Sequence, residues 1–550
     1  MKAENRLETV LAFHARTKHR LDAYAPGPDG LDWATQPDPF RTYEGAEQVA
    51  LARPEPAADG PDFDTVAAGA VDPAELSFNL VSQLLYDALA ISAWKVAGGD
   101  RWAVRCNPSS GNLHPTEAHL LLPAIDGLGQ APALYHYRPL DHALERRTVW
   151  KTSQWDGAMA ALPPSTFLVA LTSIHWREAW KYGERAYRYC QHDVGHAIAQ
   201  LSYAAAALGW HVRPLSAVSD DDIALLAGIS AQVGEDGEHP DVLLAASPQA
   251  AAPDVAAAWV PPCAWTTARD RPPFKGVPNR LSPSHRPWPE IDRVAAATRR
   301  ERQAGSLVAA APTTRRAAVV GSRPGLAARR LFRTRRSAVE MDGQAGLLKG
   351  DFGRLLARLL PATATPWAAW PWASAIHPVF LVHRVIGLER GIYLLVREPG
   401  QESRLREALT GFSEWEPIAG LPGNARLVRL GVGDTRRFAA GSNCHQAIAA
   451  NGVFSVAMLA DFERTLQQEG PWSYRRLFWE AGMVGQVLYL EAEAVGLRGT
   501  GIGCFFDDVI HDAFGLSGMT FQSLYGFTVG GARHDSRIQT EPAYEGAHRE

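Results

Sequence analysis

Residues 105–117 read Arg-Cys-Asn-Pro-Ser-Ser-Gly-Asn-Leu-His-Pro-Thr-Glu. Ser109, Ser110 and Asn112 place two hydroxyls and an amide close together, short donors and acceptors that suit the polar edge of a flat ring. Pro108 and Gly111 suit a tight loop open to close backbone approach. The same residue types also make an ordinary surface turn. Far downstream, Arg335-Arg336-Ser337 offers two guanidinium forks and a hydroxyl, a set that binds phosphate oxygens. A helix beginning at Ser337 would add backbone N–H groups. The plain alternative is the basic end of a linker. Lys181-Tyr182 sets an amine beside a phenol. A lysine of pKa ~10.4 is a poor base at neutral pH, so burial or nearby cations must depress it, and Arg185 and Arg188 are the cations at hand. His192 and His196 stand one helical turn apart, but no third ligand is evident and no metal is expected.

The elements that carry these residues repeat. An offset of 287 takes Tyr187-Arg188 to Tyr474-Arg475, Gly195 to Gly482, Ala205 to Ala492 and Gly209 to Gly496. Upstream it takes Phe167, Val169 and Ala170 to Phe454, Val456 and Ala457 without a gap. Val194, Ala197, Ile198, Leu201, Ala204, Ala205 and Leu208 form an apolar helical stripe closed by Gly209. In the second copy Val484, Val487, Leu488, Leu490 and Val495 make nearly every face apolar, which predicts a helix buried at an interface. Phe167–Leu171 reads as a strand. Two weaker matches read as paired strands: Leu120–Leu122 after His114-Pro115 with Phe380–Val382 after His377-Pro378, and Ala133–Tyr135 with Gly391–Tyr393.

A chain of 550 residues with 46% hydrophobic and 21% charged side chains has material for two cores. Its net charge of −4 gives no general attraction to nucleic acid or anionic membrane. Five scattered cysteines without a CxxC pair fit a reducing compartment. No signal-peptide core and no long apolar run stand out, so a cytoplasmic protein is expected. The expected division is an extension over 1–74, a first domain over 75–260, a linker over 261–330 and a second domain over 331–550. The linker is Pro-rich from Arg271-Pro272-Pro273 to Pro287-Trp288-Pro289. From 293 to 336 it carries twelve arginines against the single acid Glu301. That segment reads as a solvated linker or as a docking patch for an acidic partner. It lacks interleaved aromatics, which argues against nucleic acid.

Together the motifs resemble the SagB-type dehydrogenases, a branch of the FMN-dependent nitroreductase fold. In the first copy the carriers are Pro108–Asn112 with His114–Glu117, Tyr135-His136-Tyr137 with His142, and Lys181–Tyr189. In the second they are Arg335-Arg336-Ser337, Gly501–Asp508 and Tyr525–Gly530. The resemblance covers most of 75–250 and 330–540. It implies an α+β fold: two fused nitroreductase-like domains, each with a mainly antiparallel sheet wrapped by helices, forming a pseudodimer within one chain. It implies FMN between them, with Pro108, Ser109, Ser110 and Asn112 on the ring and Arg335, Arg336 and Ser337 on the phosphate. Ile502 and Gly503 would lie along the flavin, the Gly503 N–H near N5, and Arg537 would help hold the cofactor. Asp535 departs from the basic residue common there.

The second copy's loop, Trp370–Ala375, lacks the Pro-Ser-Ser-Gly-Asn pattern, and Thr17-Lys18-His19 is a poor substitute for the arginine pair. One FMN per chain is therefore expected. The offset takes Lys181-Tyr182 to Gln468-Glu469, so the second copy lacks that pair too. The resemblance gives Lys181 proton abstraction, assisted by Tyr182, while flavin N5 takes hydride. The substrate would be a small molecule or a modified peptide such as an azoline, with a partner protein of the same biosynthetic cluster. Two alternatives stay open: a nitro- or quinone-reductase fed by NAD(P)H, and a non-catalytic scaffold for a partner enzyme. No Rossmann fingerprint follows a strand, so no dedicated nicotinamide domain is implied. Oligomeric state beyond the pseudodimer stays open.

Overall fold

A computed structural model describes residues 3–54, 60–232, 234–266, 273–302 and 325–544. It contains two seven-stranded sheets of the same design. In spatial order the first is Glu47–Ala50, Ala143–Val149, Ala133–Arg138, Thr116–Leu122, Phe167–Ser173, His239–Ser247 and His211–Pro214. The second is Glu416–Pro417, Arg426–Val432, Gly391–Val396, Ile376–Val382, Phe454–Asp461, Phe521–Gly530 and Arg498–Ile502. All neighbours pair antiparallel. The register repeats as well: Leu120 faces Val169, and Phe380 faces Val456, the partner that the offset of 287 demands. Thr116–Leu122, Phe167–Ser173 and Phe454–Asp461 are buried throughout, which is why Leu120–Leu122 and Phe167–Leu171 read as unbroken apolar runs rather than alternating ones.

Two long helices cover the sheets between them. Ala186–Ala206 is buried along its whole length, and Ser473–Ala494 is nearly so. They cross at Gly195 and Gly482. A Cβ on Gly195 would come closer than 3.0 Å to the carbonyl oxygen of Trp479, and one on Gly482 would crowd the carbonyl oxygen of His192. Only glycine permits this approach. The second helix is apolar all round because one face meets its own sheet and the other meets the first helix.

Each end of the chain crosses to the opposite half. After the helix Ala3–Arg16, His19 forms a bridge to Phe506 and its N–H donates to Asp507 at 3.0 Å. The C-terminal strand Gln539–Glu541 pairs with Ile91–Ala97, extending the hairpin completed by Asp100–Arg105. The hairpin leads into the loop at 107–115.

Residues 273–302 pack on the first half: Val277-Pro278 pairs with Tyr43-Glu44, and Pro289–Ala297 is a helix. The described arginines of the basic segment are mostly spent inward. Arg299 and Arg302 pair with Asp221 and Asp222, Arg300 lies over Trp472, and Arg333 donates to the carbonyls of Tyr86 and Ile91. Arg271, Pro272 and the arginines at 315, 316 and 323 lie outside the described residues. Among the described residues no helix is long and apolar enough to cross a membrane.

Candidate functional site

A cavity of about 720 Å³ lies between the halves, a size suited to a ligand of cofactor scale. Ten of the twelve residues singled out in the sequence line it: Pro108, Ser109, Ser110, Asn112 and Tyr182 from the first half, and Arg335, Arg336, Ser337, Ile502 and Gly503 from the second. Lys181 and Arg537 are not on its wall. Arg537 is exposed and folds back on Asp535 at 2.7 Å, which itself lines the cavity.

The loop from Pro108 is shaped by its own polar side chains. Ser109 Oγ accepts from the His114 N–H at 2.8 Å, and Asn112 Nδ2 donates to the Ala103 carbonyl at 2.6 Å. Ser110 donates its N–H and hydroxyl to Asp193 at 3.1 and 3.0 Å. Ser110 and Asn112 therefore spend side-chain donors on the protein, whereas the sequence suggested the ring edge of a ligand. The backbone turns through the left-handed region at Gly111, Asn112 and His114, with φ of 57°, 60° and 52°. A Cβ on Gly111 would collide with the Tyr182 hydroxyl. Burial pushes the Asp193 carboxyl up to about 7, against the pull of the Ser109 and Ser110 donors.

The same device recurs in the second half with another outcome. Glu480, the offset partner of Asp193, accepts from the Ala375 N–H at 2.9 Å, at the loop that enters Ile376–Val382. Its carboxylate is also bound by Arg397. Around that loop Trp370, Trp372, Trp472 and Trp479 pack in series, with ring centroids 4.7 to 6.4 Å apart. Arg476 donates to the Ala373 carbonyl at 3.2 Å.

At the other end of the cavity the cations gather. Arg335 is buried, and its Nε and Nη2 donate to the carbonyls of Cys106 and Arg105 at 3.1 and 2.9 Å, joining the halves. Arg336 Nη1 reaches Ser92 Oγ at 3.0 Å. Burial, then Arg335 and other nearby cations including Arg498, draw Arg336 down to about 10. Burial and the same cations, Arg336 and Arg498, lower Lys95. Lys95, Arg335, Arg336 and Arg498 all line the cavity, so an anion there would relieve their mutual repulsion. The helix Ala328–Thr334 ends at Arg335, whereas the sequence suggested one beginning at Ser337. The anion-binding potential here comes from side-chain charge, not from a helix N-terminus. Ser337 Oγ bonds the Tyr489 hydroxyl at 2.8 Å, which in turn accepts from the Gly501 N–H at 3.0 Å. Thr17 and Lys18 have no part in a mirror-image cluster: Thr17 Oγ1 accepts from Arg188, and Lys18 pairs with Asp508.

The nitroreductase family model matches residues 71–240 and 396–531, more than half of the chain. The chain belongs to the nitroreductase family. A protein of Anabaena variabilis assigned as a nitroreductase shares its fold along nearly the whole length: 21% identity, TM-score 0.67, 96% of this chain and 99% of that one. A Ralstonia eutropha protein likewise assigned matches 41% of this chain and 98% of its own, at 14% identity and TM-score 0.27. A chain of the Escherichia coli microcin synthetase complex matches 45% and 94%, at 16% identity and TM-score 0.27. No curated protein matches.

Lys181 Nζ lies 5.4 Å from the centroid of the Tyr182 ring, off the wall that Tyr182 forms. Arg185 and Arg188, the cations nearest Lys181 in sequence, both pair with buried Asp507, at 2.9 and 3.0 Å. Burial, then Glu178, pushes the Tyr182 phenol well above its usual range, so it stays protonated. Glu178 is itself fully buried with no hydrogen-bond partner on either oxygen, and burial and Asp193 raise its carboxyl. His192 stacks on Tyr525 at 4.0 Å, and His196 Nε2 meets the Tyr525 hydroxyl at 3.1 Å. Gly503 turns its carbonyl back onto Arg185, and a Cβ there would strike the Tyr189 ring.

Asp193, Glu178, Lys95 and Arg498 escaped the sequence reading. The repeat did carry a signal for Asp193: the offset pairs it with another acid, Glu480.

Proposed function

We propose that this chain is an FMN-dependent oxidoreductase of the SagB dehydrogenase kind, with one composite site per chain. The observation that carries this reading is the single cavity walled by the first half's Pro-Ser-Ser-Gly-Asn loop and the second half's arginine pair. Its residues fit the cofactor. The volume suits it, the cluster of Lys95, Arg335, Arg336 and Arg498 suits a phosphate, and glycines at 111, 501 and 503 leave no side chain beside the tyrosines of the wall. Bound FMN would supply a two-electron acceptor.

The chain's own part is to bind, orient and handle protons. Arg336 and Lys95 would hold the phosphate end, and the loop at Pro108–Asn112, fastened by Asp193, would hold the ring. Tyr182 stands on the wall, and Lys181, off it, is the base in the dehydrogenase reading. The substrate would be a peptide azoline or a similar small heterocycle. A second reading is an NAD(P)H-fed reductase, favoured by the placement of Tyr182 on the cavity wall and of Lys181 off it: there the Tyr182 hydroxyl would hydrogen-bond the substrate being reduced.

FMN titration followed by stopped-flow spectroscopy tests both. One FMN bound per chain, bleached by an azoline peptide and not by NADPH, supports the dehydrogenase. Fast bleaching by NADPH supports the reductase. A chain that takes up no FMN ends both. In the dehydrogenase, Lys181→Ala keeps the yellow colour and loses turnover; undiminished turnover removes Lys181 from the mechanism.

A further inference from the structure

Cys504 follows Gly503 on the cavity wall and is half-buried. Cys444, also half-buried, lies in the turn after the helix Arg436–Ser442. Two hydrogen bonds clamp these segments together. The Phe506 N–H donates to the Ser442 carbonyl at 2.8 Å, and Gln446 Nε2 donates to the Cys504 carbonyl at 3.0 Å. The residues two before and two after Cys444 thus bond to Phe506 and Cys504, which holds the turn that carries Cys444 against the segment that carries Cys504. Both cysteines are free.

The turn that presents Cys444 is unusual. Cys444 and His445 are consecutive non-glycine residues in the left-handed region, with φ of 52° and 61°. Such backbone persists where its surroundings hold it, commonly at functional sites. The surroundings are polar and specific. His19 Nδ1 accepts from the Ala25 N–H at 2.9 Å, and the imidazole lies near enough to the Cys504 thiol to lower it. Tyr24 packs tilted against Phe506, ring centroids 5.7 Å apart, and burial, then the nearby Cys444 and Cys504, raise its phenol. Arg185 holds the Gly503 carbonyl just before Cys504. The bond from Cys444, then His19 and Arg185, lower the Cys504 thiol below the usual range despite its burial, while Cys444 is raised. A thiol eased toward ionisation beside a second thiol is the arrangement of a reactive pair.

We propose that Cys444 and Cys504 form a redox-active pair that closes a disulfide on the cavity wall by exchange with small-molecule disulfides of the glutathione class. The Cys504 thiolate attacks one sulfur of the incoming disulfide, forms a mixed disulfide and expels one thiolate, which takes up a proton. Cys444 loses its proton to solvent and attacks Cys504 Sγ, and the second thiol departs. Two protein thiols become one disulfide, and the oxidant becomes two thiols. The new bond ties the turn at 443–446 to the segment that lines the cavity at 501–504. The pair works whether or not the cavity holds a flavin, so it stands apart from the function proposed above.

The test uses the full chain in glutathione buffers of graded oxidised-to-reduced ratio, quenched with acid, alkylated with iodoacetamide and mapped by peptide mass spectrometry. A Cys444–Cys504-linked peptide is expected to rise with the oxidant. Exposed Cys263 should give only a glutathione adduct, and buried Cys106 and Cys190 should stay reduced. Cys444→Ser should trap Cys504 as its glutathione adduct. At slightly acidic pH Cys504 should alkylate about tenfold faster than Cys263, and that advantage should shrink in Cys444→Ser. Glutathione adducts on both cysteines with no linked peptide, or alkylation of Cys504 at the rate of Cys263, would overturn the proposal. Both readouts are taken on the unaltered chain, so they stand even if a serine variant misfolds.

Discussion

Gly195 and Gly482, equivalent across the internal repeat, meet backbone to backbone where the central helices cross. A methyl on either would press on the other helix's carbonyl oxygens, so the crossing must open and drag the sheets with it. Gly195→Ala and Gly482→Ala should each lower stability by about 1–3 kcal/mol. The double variant should lose less than the sum, because one opening relieves both clashes. Gly157→Ala is the control: it has open space around it in a short helix and should be neutral or slightly stabilising. Urea unfolding midpoints decide this, and an unperturbed Gly195→Ala would refute the account of the crossing.

Asp193 and Glu480 hold equivalent loops for different ends. Asp193→Ala removes the acceptor for both Ser110 donors, and the loop at 108–112 should lose its shape. FMN affinity should fall about tenfold or more, the worth of the two hydrogen bonds that shape the loop. Glu480→Ala instead takes the carboxylate from buried Arg397. It should cost about 3–5 kcal/mol of stability and leave the affinity of the folded chain little changed. Fluorescence titration and unfolding, run on both variants, separate the roles. Equal loss of affinity in the two would defeat the distinction.

The contrast also marks what the sequence made legible. The repeat, the strands around Phe167 and Leu120 and the buried second helix follow from apolar patterning, because burial on both faces leaves no other residue types. The loop at 108–112 and the arginine pair were legible as motifs, and the fold brings both to one cavity. The detailed contacts were not. Asn112 and Ser110 turn into the protein because a loop with three left-handed residues needs its own donors to hold it, and no spacing rule encodes that. Glu178 and Asp193 look like any acids on a helix until burial strips their solvent. Lys95 reaches the cavity only because the strand Gln539–Glu541, distant in sequence, pairs beside it.

The cation cluster should answer to phosphate without any flavin. Lys95, Arg336 and Arg498 repel one another, and an inorganic phosphate between them should stabilise the folded chain by mass action. The melting temperature should rise with phosphate more than with chloride at equal ionic strength, and Arg336→Ala should abolish the difference and weaken FMN retention. Arg335→Ala should also lower stability outright, since two buried carbonyls lose their donor. Arg537→Ala should leave FMN affinity almost unchanged, as its exposed pair with Asp535 contributes little. A phosphate response unchanged in Arg336→Ala would place the anion elsewhere.

Across three neighbouring strands of the first sheet, Glu117, His136 and Glu145 form a buried chain, with His136 Nε2 and Nδ1 at 3.0 and 2.8 Å from the two carboxylates. Burial alone would raise Glu117, but Arg177 and His136 overrule it and hold the carboxyl at about 2, against 4.5 unperturbed. Its stabilisation is therefore complete above about 4.5 and is lost as pH falls toward 2. His136 runs the other way. Burial lowers it, yet the two glutamates outweigh that and raise it above 6.5, so its stabilisation is complete below that value and fades as pH rises through the raised pKa. Both contributions are whole between 4.5 and 6.5, and stability from this chain should be greatest there. The acid limb carries on the order of 3 kcal/mol for Glu117. Glu117→Gln should destabilise the chain within that window and flatten the acid limb, while His136→Gln should flatten the alkaline one. Urea unfolding from about pH 3 to about pH 9 measures both limbs; an acid limb equally steep in Glu117→Gln would show that other carboxylates set it.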